Sequence, residues 1–292
     1  MPQETDPSAA APVPAKSTRV ITNDPRLADM SLPGSQPIIG GNTGEAGTVP
    51  GERVALPSRG LCYPEGHPAR AGFVMVRPIT TREEEILVTE RYAKQGTTID
   101  MILSRCILTK GINTLDLISG DRIHILFYLR AISYGPEYTF RAKLRDGSEQ
   151  DIKTDVSKLT IVTLPDNFTE PWVAQVDGTT YELRLSRGKD EQEITQERMR
   201  LKKKNPNAPD PGSTLNLKRQ IVSFNGEQDP EAITQFVGNM IARTAQRLRA
   251  EIAKVNPGPK MKLTVVNEST GEEEEIALAI TETFFRADTE SD

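Results

Sequence analysis

The chain has 292 residues, of which 36% are hydrophobic, and it carries a net charge of −5. This length allows one large domain or two small ones. The acidic balance argues against a nucleic-acid-binding protein, because such proteins present basic surfaces to phosphates. We also expect no membrane span, since no apolar run reaches about 18 residues, and no signal peptide. The two cysteines are too few for a disulfide scaffold, so we expect reduced thiols in a cytoplasm.

Residues 1–50 predict a flexible arm. They contain eight Pro, five Gly and no Phe, Trp or Tyr, so they cannot bury enough apolar area to offset the entropy of ordering. The arm is expected to be disordered in an isolated chain and extended on a partner after assembly. Its few apolar positions are the predicted partner-binding residues: Val20, Ile21, Ile38 and Ile39.

Residues 51–135 predict a rigid opening segment followed by a bundle of three helices. In "LPSRGLCYP" (56–64), Pro57 restricts φ, Gly60 allows a sharp turn, and Tyr63 is a candidate anchor. A short strand is expected at 71–79. Helices are then expected after Thr81, after Thr98 and after Ser119, with Gly96, Gly111 and Gly135 near their ends.

The spacing of the apolar residues predicts which face of each helix is buried. The second helix has apolar residues at i, i+3, i+4, i+7 and i+8, which predicts one buried face. In the third helix, Leu126, Phe127 and Ile132 are predicted core residues. Arg130 lies on the same face, so we expect it to form an ion pair or to donate to a buried carbonyl. The predicted face of the second helix consists of Ile99, Ile102, Leu103, Cys106 and Ile107.

Residues 136–204 predict two β-hairpins and a charged helix. Alternating apolar and polar residues flank Asp146-Gly147 and Asp177-Gly178, two dipeptides typical of tight hairpin turns. A further strand is expected at 158–164. The helix at 190–204 has acidic residues at its start and basic residues at its end, which suits the helix dipole.

Residues 205–286 predict a Pro-rich linker, a long helix and a final hairpin. Residues 214–226 are ambiguous between helix and strand. Asp229-Pro230 then predicts the start of one helix over 230–255. Its apolar stripe includes Ile233, Phe236, Val237, Met240 and Ile241, and the arginines at 243, 247 and 249 lie outside it. A hairpin follows over 261–285, and residues 287–292 form an acidic tail. Together the segments predict an α+β fold.

The sequence contains few signals of catalysis. It lacks G-x-S-x-G, G-x-G-x-x-G and G-K-[ST] motifs, so we expect no enzymatic activity. A zinc site would require convergence of Cys62, His67, Cys106 and His124, and no pair of these has the spacing of metal ligands. We therefore expect no metal and no cofactor, and interpret both cysteines as buried fillers.

Several segments, taken in order, resemble the baseplate proteins of T-even-type contractile phage tails, a group that contains a baseplate hub subunit. The most specific is "GDRIHILFYLRAISYG" (120–135), followed by "LPSRGLCYP". The resemblance spans roughly residues 56–286, and its weight comes from order and spacing. The remaining segments are "VRPITTREEEIL" (76–87), "IDMILSRCI" (99–107), "ITQFVGNMIARTAQRLRAEIAKVNPG" (233–258) and the closing "FF".

The resemblance implies a non-enzymatic structural component of a virion tail baseplate, assembled in the host cytoplasm. The implied partners are other baseplate and hub proteins, with the end of the tape-measure protein as a further candidate. The alternative is an assembly chaperone that leaves before the tail matures. The resemblance also implies Cys-x-x-Cys pairs on two hairpins, as in a zinc ribbon. The corresponding hairpins here contain no cysteine, so we expect apolar and cross-strand contacts to hold them if they pack together.

Overall fold

The computed structural model describes residues 50–89, 92, 96–278, 280 and 282–285. Several predictions concern positions outside these residues. They are the flexible arm, its four apolar positions and the acidic tail: Val20, Ile21, Ile38, Ile39 and residues 287–292.

The described residues form an α+β fold, as predicted. Within these residues there are seven α-helices and eleven short strands, and the strands pair in antiparallel fashion. The helices are α1 Thr81–Leu87, α2 Thr98–Cys106, α3 Ser119–Tyr134, α4 Gly188–Lys204, α5 Gly212–Gln220, α6 Pro230–Gly238 and α7 Ala242–Val255. The strands are β1 Glu52–Ala55, β2 Phe73–Val76, β3 Glu137–Lys143, β4 Glu149–Asp155, β5 Ile161–Val162, β6 Trp172–Val176, β7 Thr179–Leu183, β8 Ile221–Phe224, β9 Gly258–Pro259, β10 Lys262–Val266 and β11 Glu273–Ala277.

The strands pair in small sheets. β1 pairs with β2, β3 with β4, β5 with β9 and β10 with β11, while β6, β7 and β8 form a three-stranded sheet. The predicted turns at Asp146-Gly147 and Asp177-Gly178 are confirmed, because they join β3 to β4 and β6 to β7. A two-stranded sheet is marginal alone, so each one depends on the helices and loops packed against it.

Helix α3 is the centre of the first hydrophobic core. Phe127 is only 2% exposed and meets the Phe284 ring edge-on, with 4.9 Å between the centroids. Phe284 also lies edge-on to Tyr138 of β3. Arg130 is fully buried and donates to the carbonyls of Gly135 at 2.5 Å and Glu137 at 2.7 Å. These bonds confirm the expectation that Arg130 donates to a carbonyl.

A second hydrophobic core lies between the three-stranded sheet and helices α5, α6 and α7. Its centre includes Tyr181, Leu183 and Leu248, none of which is exposed. Phe236 is half-buried and stacks on Phe224 with 4.1 Å between the ring centroids.

The prediction of one continuous helix over 230–255 is wrong. Helix α6 ends at Gly238 and α7 begins at Ala242. Gly238-Asn239 supplies poor helix formers, and the Asn239 amide caps α6 by donating to the carbonyls of Gln235 and Val237. As a result Ile241, predicted to be buried, is 74% exposed. Met240 is half-buried against the second core.

Other boundaries also differ from prediction. Thr80 rather than Thr81 caps α1, and Glu83 completes the capping box. Ile99 is 39% exposed because it lies in the first turn of α2, away from the core. The expected strand at 158–164 is reduced to β5. The ambiguous stretch 214–226 contains most of α5 followed by β8.

Candidate interaction surface and the segments that position it

The opening segment is fixed to the first turn of α3 by a buried carboxylate. Asp121 is completely buried and accepts hydrogen bonds from the Ser58 amide at 2.9 Å, the Ser58 hydroxyl at 2.5 Å and the Tyr63 hydroxyl at 2.7 Å. The Tyr63 hydroxyl in turn accepts from the Ile118 amide at 3.1 Å. Three donors on one carboxylate compensate much of the cost of removing it from water. The segment therefore serves as a positioning device for α3.

Backbone geometry within this segment follows the sequence prediction. Gly60 has a φ of 80°, and a Cβ there would fall 2.8 Å from the Ala69 carbonyl oxygen. Only glycine fits such a position without strain. Pro57 is buried in the adjoining turn, and Arg70 donates to the carbonyl of Leu61 at 2.9 Å.

The four candidate metal ligands, Cys62, His67, Cys106 and His124, do not converge on one site in the structure. Cys106 is buried on α2, and burial raises the pKa of its thiol to about 11. Burial also raises the pKa of Cys62. His67 stacks on Tyr63 and caps a short 3₁₀ turn through Nδ1. In the described part of the chain, no three His, Cys, Asp or Glu residues are grouped as a metal site requires.

Two side chains on α3 have strongly shifted pKa values, one raised and one lowered. Burial raises the pKa of Asp121 from 3.8 to about 6, against the lowering effect of the Ser58 and Tyr63 hydrogen bonds. Burial lowers the pKa of His124 from 6.5 to about 4, against a hydrogen bond with the Ala55 backbone. Folding thus favours a protonated Asp121 and a neutral His124. Each pKa shift corresponds to a contribution of roughly 3 kcal/mol to the free energy of unfolding.

These shifts predict opposed pH dependences between pH 4 and 6. The raised pKa of Asp121 stabilises the folded protein below pH 3.8, and this stabilisation is lost as the pH rises to 6. The lowered pKa of His124 stabilises the folded protein above pH 6.5, and this stabilisation is lost as the pH falls to 4. In Asp121→Asn only the His124 dependence remains, so the stability of this variant relative to wild type should decline towards pH 4. His124→Gln should decline relative to wild type towards pH 6. Urea unfolding at several pH values measures both slopes, and parallel curves for all three proteins would contradict the assignment.

The two cysteine-free hairpins are joined by polar contacts. The Gln150 side chain of β4 donates to the Val266 carbonyl at 3.2 Å and accepts from the Glu268 amide at 3.1 Å. The Asn267 side chain donates to Asp146 at 3.0 Å. We expected apolar and cross-strand contacts to join these hairpins. Their inner faces do contribute to one apolar core, but amide side chains make the specific links at the ends.

A cleft of about 490 Å³ lies between β3 and β11. Buried Phe140, Leu144 and Ile276 contribute apolar surface to it. One rim is basic and the other acidic. The basic rim carries Arg141, Lys143 and Arg145; the acidic rim carries Glu274 and Glu275.

The hydrogen-bond pattern shows which backbone groups of β3 face away from β4. The Leu144 amide donates to the Ser148 carbonyl and the Val156 amide donates to the Pro136 carbonyl, each at 2.8 Å. Because bonded and non-bonded pairs alternate along an antiparallel ladder, residues 138, 140 and 142 bond to β4. The N–H and C=O groups of Arg141 and Lys143 therefore point to the opposite edge, which borders the cleft.

The same reasoning applies to β11. The Asn267 amide donates to the Glu272 carbonyl and the Leu278 amide to the Met261 carbonyl, each at 2.9 Å. The backbone groups of Glu273, Glu275 and Ala277 thus face away from β10. The cleft has a strand edge on both sides, and unpaired strand edges are sites where another chain can add.

A family model described as T4 bacteriophage base plate protein matches residues 67–286. The chain belongs to this base plate family. No curated protein and no solved structure gave a significant match. The family makes the chain a structural base plate protein of the T4 type, located in the tail base plate of the virion and in contact with other base plate proteins. The matched residues contain both strand edges of the cleft.

This base plate protein also has exposed apolar side chains. Val173 on the edge strand β6 is 63% exposed, Val88 after α1 is 68% exposed, and Ile241 between α6 and α7 is also exposed. The β6 side chains that alternate with Val173 pack towards the second core. No helix within the described ranges is long and apolar enough to cross a membrane.

Sequence reasoning missed several residues that organise this base plate protein. Asp121 lies inside the most specific family segment, but a carboxylate at a helix start is usually exposed, so nothing distinguished it. Gln150, Asn267 and the edge of β3 also carried no recognisable motif. Their roles depend on which hairpins pack together, which local patterns do not specify.

Proposed function

We propose that this protein is a non-enzymatic component of the hub of a contractile tail base plate and binds other tail proteins during assembly. The family match over residues 67–286 carries the proposal. Support for the hub in particular comes from the sequence segments at 56–64 and 120–135, which resemble the hub-containing group. In the structure these two segments are joined through Ser58, Tyr63 and Asp121. The resemblance therefore falls on the part that orients α3.

The form of the sheets supports assembly through strand edges. Four of the five sheets in the described residues have two strands, so their outer edges are available unless a loop or helix covers them. Stable monomers usually protect such edges, because they promote association. In a base plate the same edges can accept extended segments of neighbouring proteins. Candidate partners are other hub proteins and the end of the tape-measure protein.

Crosslinking of purified base plates tests the hub assignment. Mass spectrometry should find crosslinks from Lys143 and from Lys153 to hub proteins at the centre of the base plate. Lys254, at the end of α7, provides a comparison on the second core. Crosslinks restricted to peripheral base plate proteins would contradict the hub assignment while leaving membership of the base plate intact.

Residues 1–50 are proposed to clasp a partner in the assembled base plate. Deleting them should leave the melting temperature of the isolated protein nearly unchanged, because their composition does not favour a core. The deletion should instead reduce incorporation into particles. The matched control replaces Val20, Ile21, Ile38 and Ile39 by Ser within a full-length arm. Normal yields of infectious particles from both variants would show that the arm is dispensable.

A further inference from the structure

Strand β6 forms one edge of the three-stranded sheet, whose order is β6, β7, β8. On β7, the Thr180 carbonyl accepts from the Asn225 amide and the Thr180 amide donates to the Asn225 side chain, so both groups point towards β8. Thr180 pairs with Gln175 of β6. Because bonded and non-bonded pairs alternate along an antiparallel ladder, the N–H and C=O groups of Gln175 and Val173 point away from β7.

This outer edge of β6 is open within the described part of the chain. No hydrogen bond there reaches the main-chain groups of Val173 or Gln175. Both side chains are exposed, and that of Val173 is apolar and 63% exposed. The residues that alternate with them point to the second core, where α7 packs against β6: Trp172, Ala174 and Val176. An exposed apolar side chain therefore lies beside main-chain groups that have no partner in these residues.

The strand lacks the features that usually protect an edge. Natural sheets place a charge, a proline or a bulge on such strands. The sequence of β6 is WVAQV, which has neither a charge nor a proline, and its register with β7 is continuous. Pro171 precedes the strand and has no N–H, so it ends the accessible edge on that side. The edge is therefore five residues long and suited to pairing with another strand.

We propose that β6 pairs with β6 of a second copy of this chain in antiparallel orientation. A twofold axis at Ala174 places Val173 opposite Gln175 of the second copy, and each such pair exchanges two main-chain hydrogen bonds. The two three-stranded sheets then join as one sheet of six strands. On the outer face the two Val173 side chains become diagonal neighbours, which removes apolar surface from water.

The charges around the edge favour a second copy as the occupant. The uncharged strand has no charge pattern that would select an acidic or a basic segment. Glu182 of β7 lies beside Val173, and in the twofold arrangement this row continues through Gln175 and Thr180 of the second copy. Each row contains one carboxylate, so like charges do not oppose each other. This inference does not depend on the hub assignment.

Sedimentation equilibrium of the full chain over a wide range of concentrations tests the pairing. The mass should rise from 32.2 kDa towards twice that value. Gln175→Pro removes an outward N–H and keeps the bonds to β7, because proline is tolerated where the N–H of an edge strand faces solvent. It should weaken dimerisation at least about tenfold with little change in the melting temperature. A chain that stays monomeric at every concentration, or a dimer that Gln175→Pro leaves intact, would overturn the proposal.

Ala174→Pro is the matched control for the direction of the strand. The Ala174 amide bonds to β7, so this variant should lower the melting temperature clearly, which Gln175→Pro should not. Equal melting temperatures for the two variants would show that the outward groups are assigned to the wrong residues and would overturn the proposed edge.

A pair of charge-swapped double variants tests the register. Val173→Lys with Gln175→Lys places like charges opposite each other across the twofold axis, and Val173→Glu with Gln175→Glu does the same with the opposite sign. Each double variant should be monomeric, and their mixture should form a heterodimer. Val88→Lys is the control, because Val88 is 68% exposed after α1, outside this sheet, and should leave the dimer intact. A mixture that does not associate would overturn the antiparallel pairing.

Amide hydrogen exchange at Val173 and Gln175 separates a second copy from other occupants. Protection of both amides should rise with the concentration of the isolated chain. Protection at concentrations where the chain is monomeric would show that another part of the same chain covers the edge. Protection that arises only in assembled base plates would assign the edge to a different base plate protein. Either of these two results would overturn pairing with a second copy.

Discussion

Gly120→Ala is expected to prevent the protein from accumulating in a folded, soluble form. Gly120 lies in the first turn of α3, where the backbone of residues 257 and 258 crosses the helix. A Cβ at this position would fall 2.7 Å from the Pro257 carbonyl carbon and closer still to its oxygen. The obstacle is backbone rather than a flexible side chain, so relief requires α3 or the β9 segment to move. Asp121 is the next residue, and such a movement would also disturb its hydrogen bonds with Ser58 and Tyr63.

We expect a loss of more than about 4 kcal/mol in the free energy of unfolding, in the range of severe steric and network disruption. Soluble yield and urea unfolding provide the measurement. Gly238→Ala is the matched control, because Gly238 is also helical and a Cβ there would meet no heavy atom within 4 Å. The control should be neutral or up to about 1 kcal/mol more stable. If Gly120→Ala were as stable as wild type, the backbone of residues 257 and 258 could not lie this close to Gly120.

Phe127→Ala is expected to cost about 3–5 kcal/mol through lost burial and the cavity that remains. Phe127 joins α3 to Phe284, and Phe284 contacts Tyr138 of β3. Removal of the ring therefore weakens the contact between the helical part and the hairpins. A thermal melt should show a decrease of roughly 10 °C.

Phe285→Ala is the control for this prediction. Phe285 is half-buried and lies edge-on to Phe284 at 5.0 Å between centroids. Its truncation removes a ring of the same size from the margin of the core, so the loss should be distinctly smaller. A decrease of less than about 2 °C for Phe127→Ala would contradict the central position of this side chain.

Local patterns in the sequence were sufficient for many elements of this fold. The Asp-Gly turns predicted two hairpins, and apolar spacing placed Leu126 and Phe127 in the core. For Arg130 the sequence predicts an ion pair or donation to a buried carbonyl, because an unpaired charge on an apolar face is too costly, and the structure shows donation to two carbonyls. In each case the signal lies within one element, so neighbouring residues contain the necessary information.

The remaining features depend on contacts between distant residues. Gly120 is required by the path of residues 257 and 258, and Asp121 is buried because the segment from Ser58 to Tyr63 covers it. The break between α6 and α7 falls at Gly238-Asn239, but the apolar stripe that runs through both helices indicates one continuous helix when only the sequence is considered. The position of the cleft between β3 and β11 follows from which hairpins pack together, and periodicity does not specify that packing.

The abundance of this protein in purified mature particles tests the central claim most directly. Quantitative mass spectrometry should find it at a fixed ratio to the tail tube, sheath and other base plate proteins, unchanged after further purification of the particles. An assembly chaperone would instead be present in tail intermediates and missing from mature particles. A fixed ratio is the result that a structural base plate component predicts. Absence from mature particles, together with presence in intermediates, would contradict it.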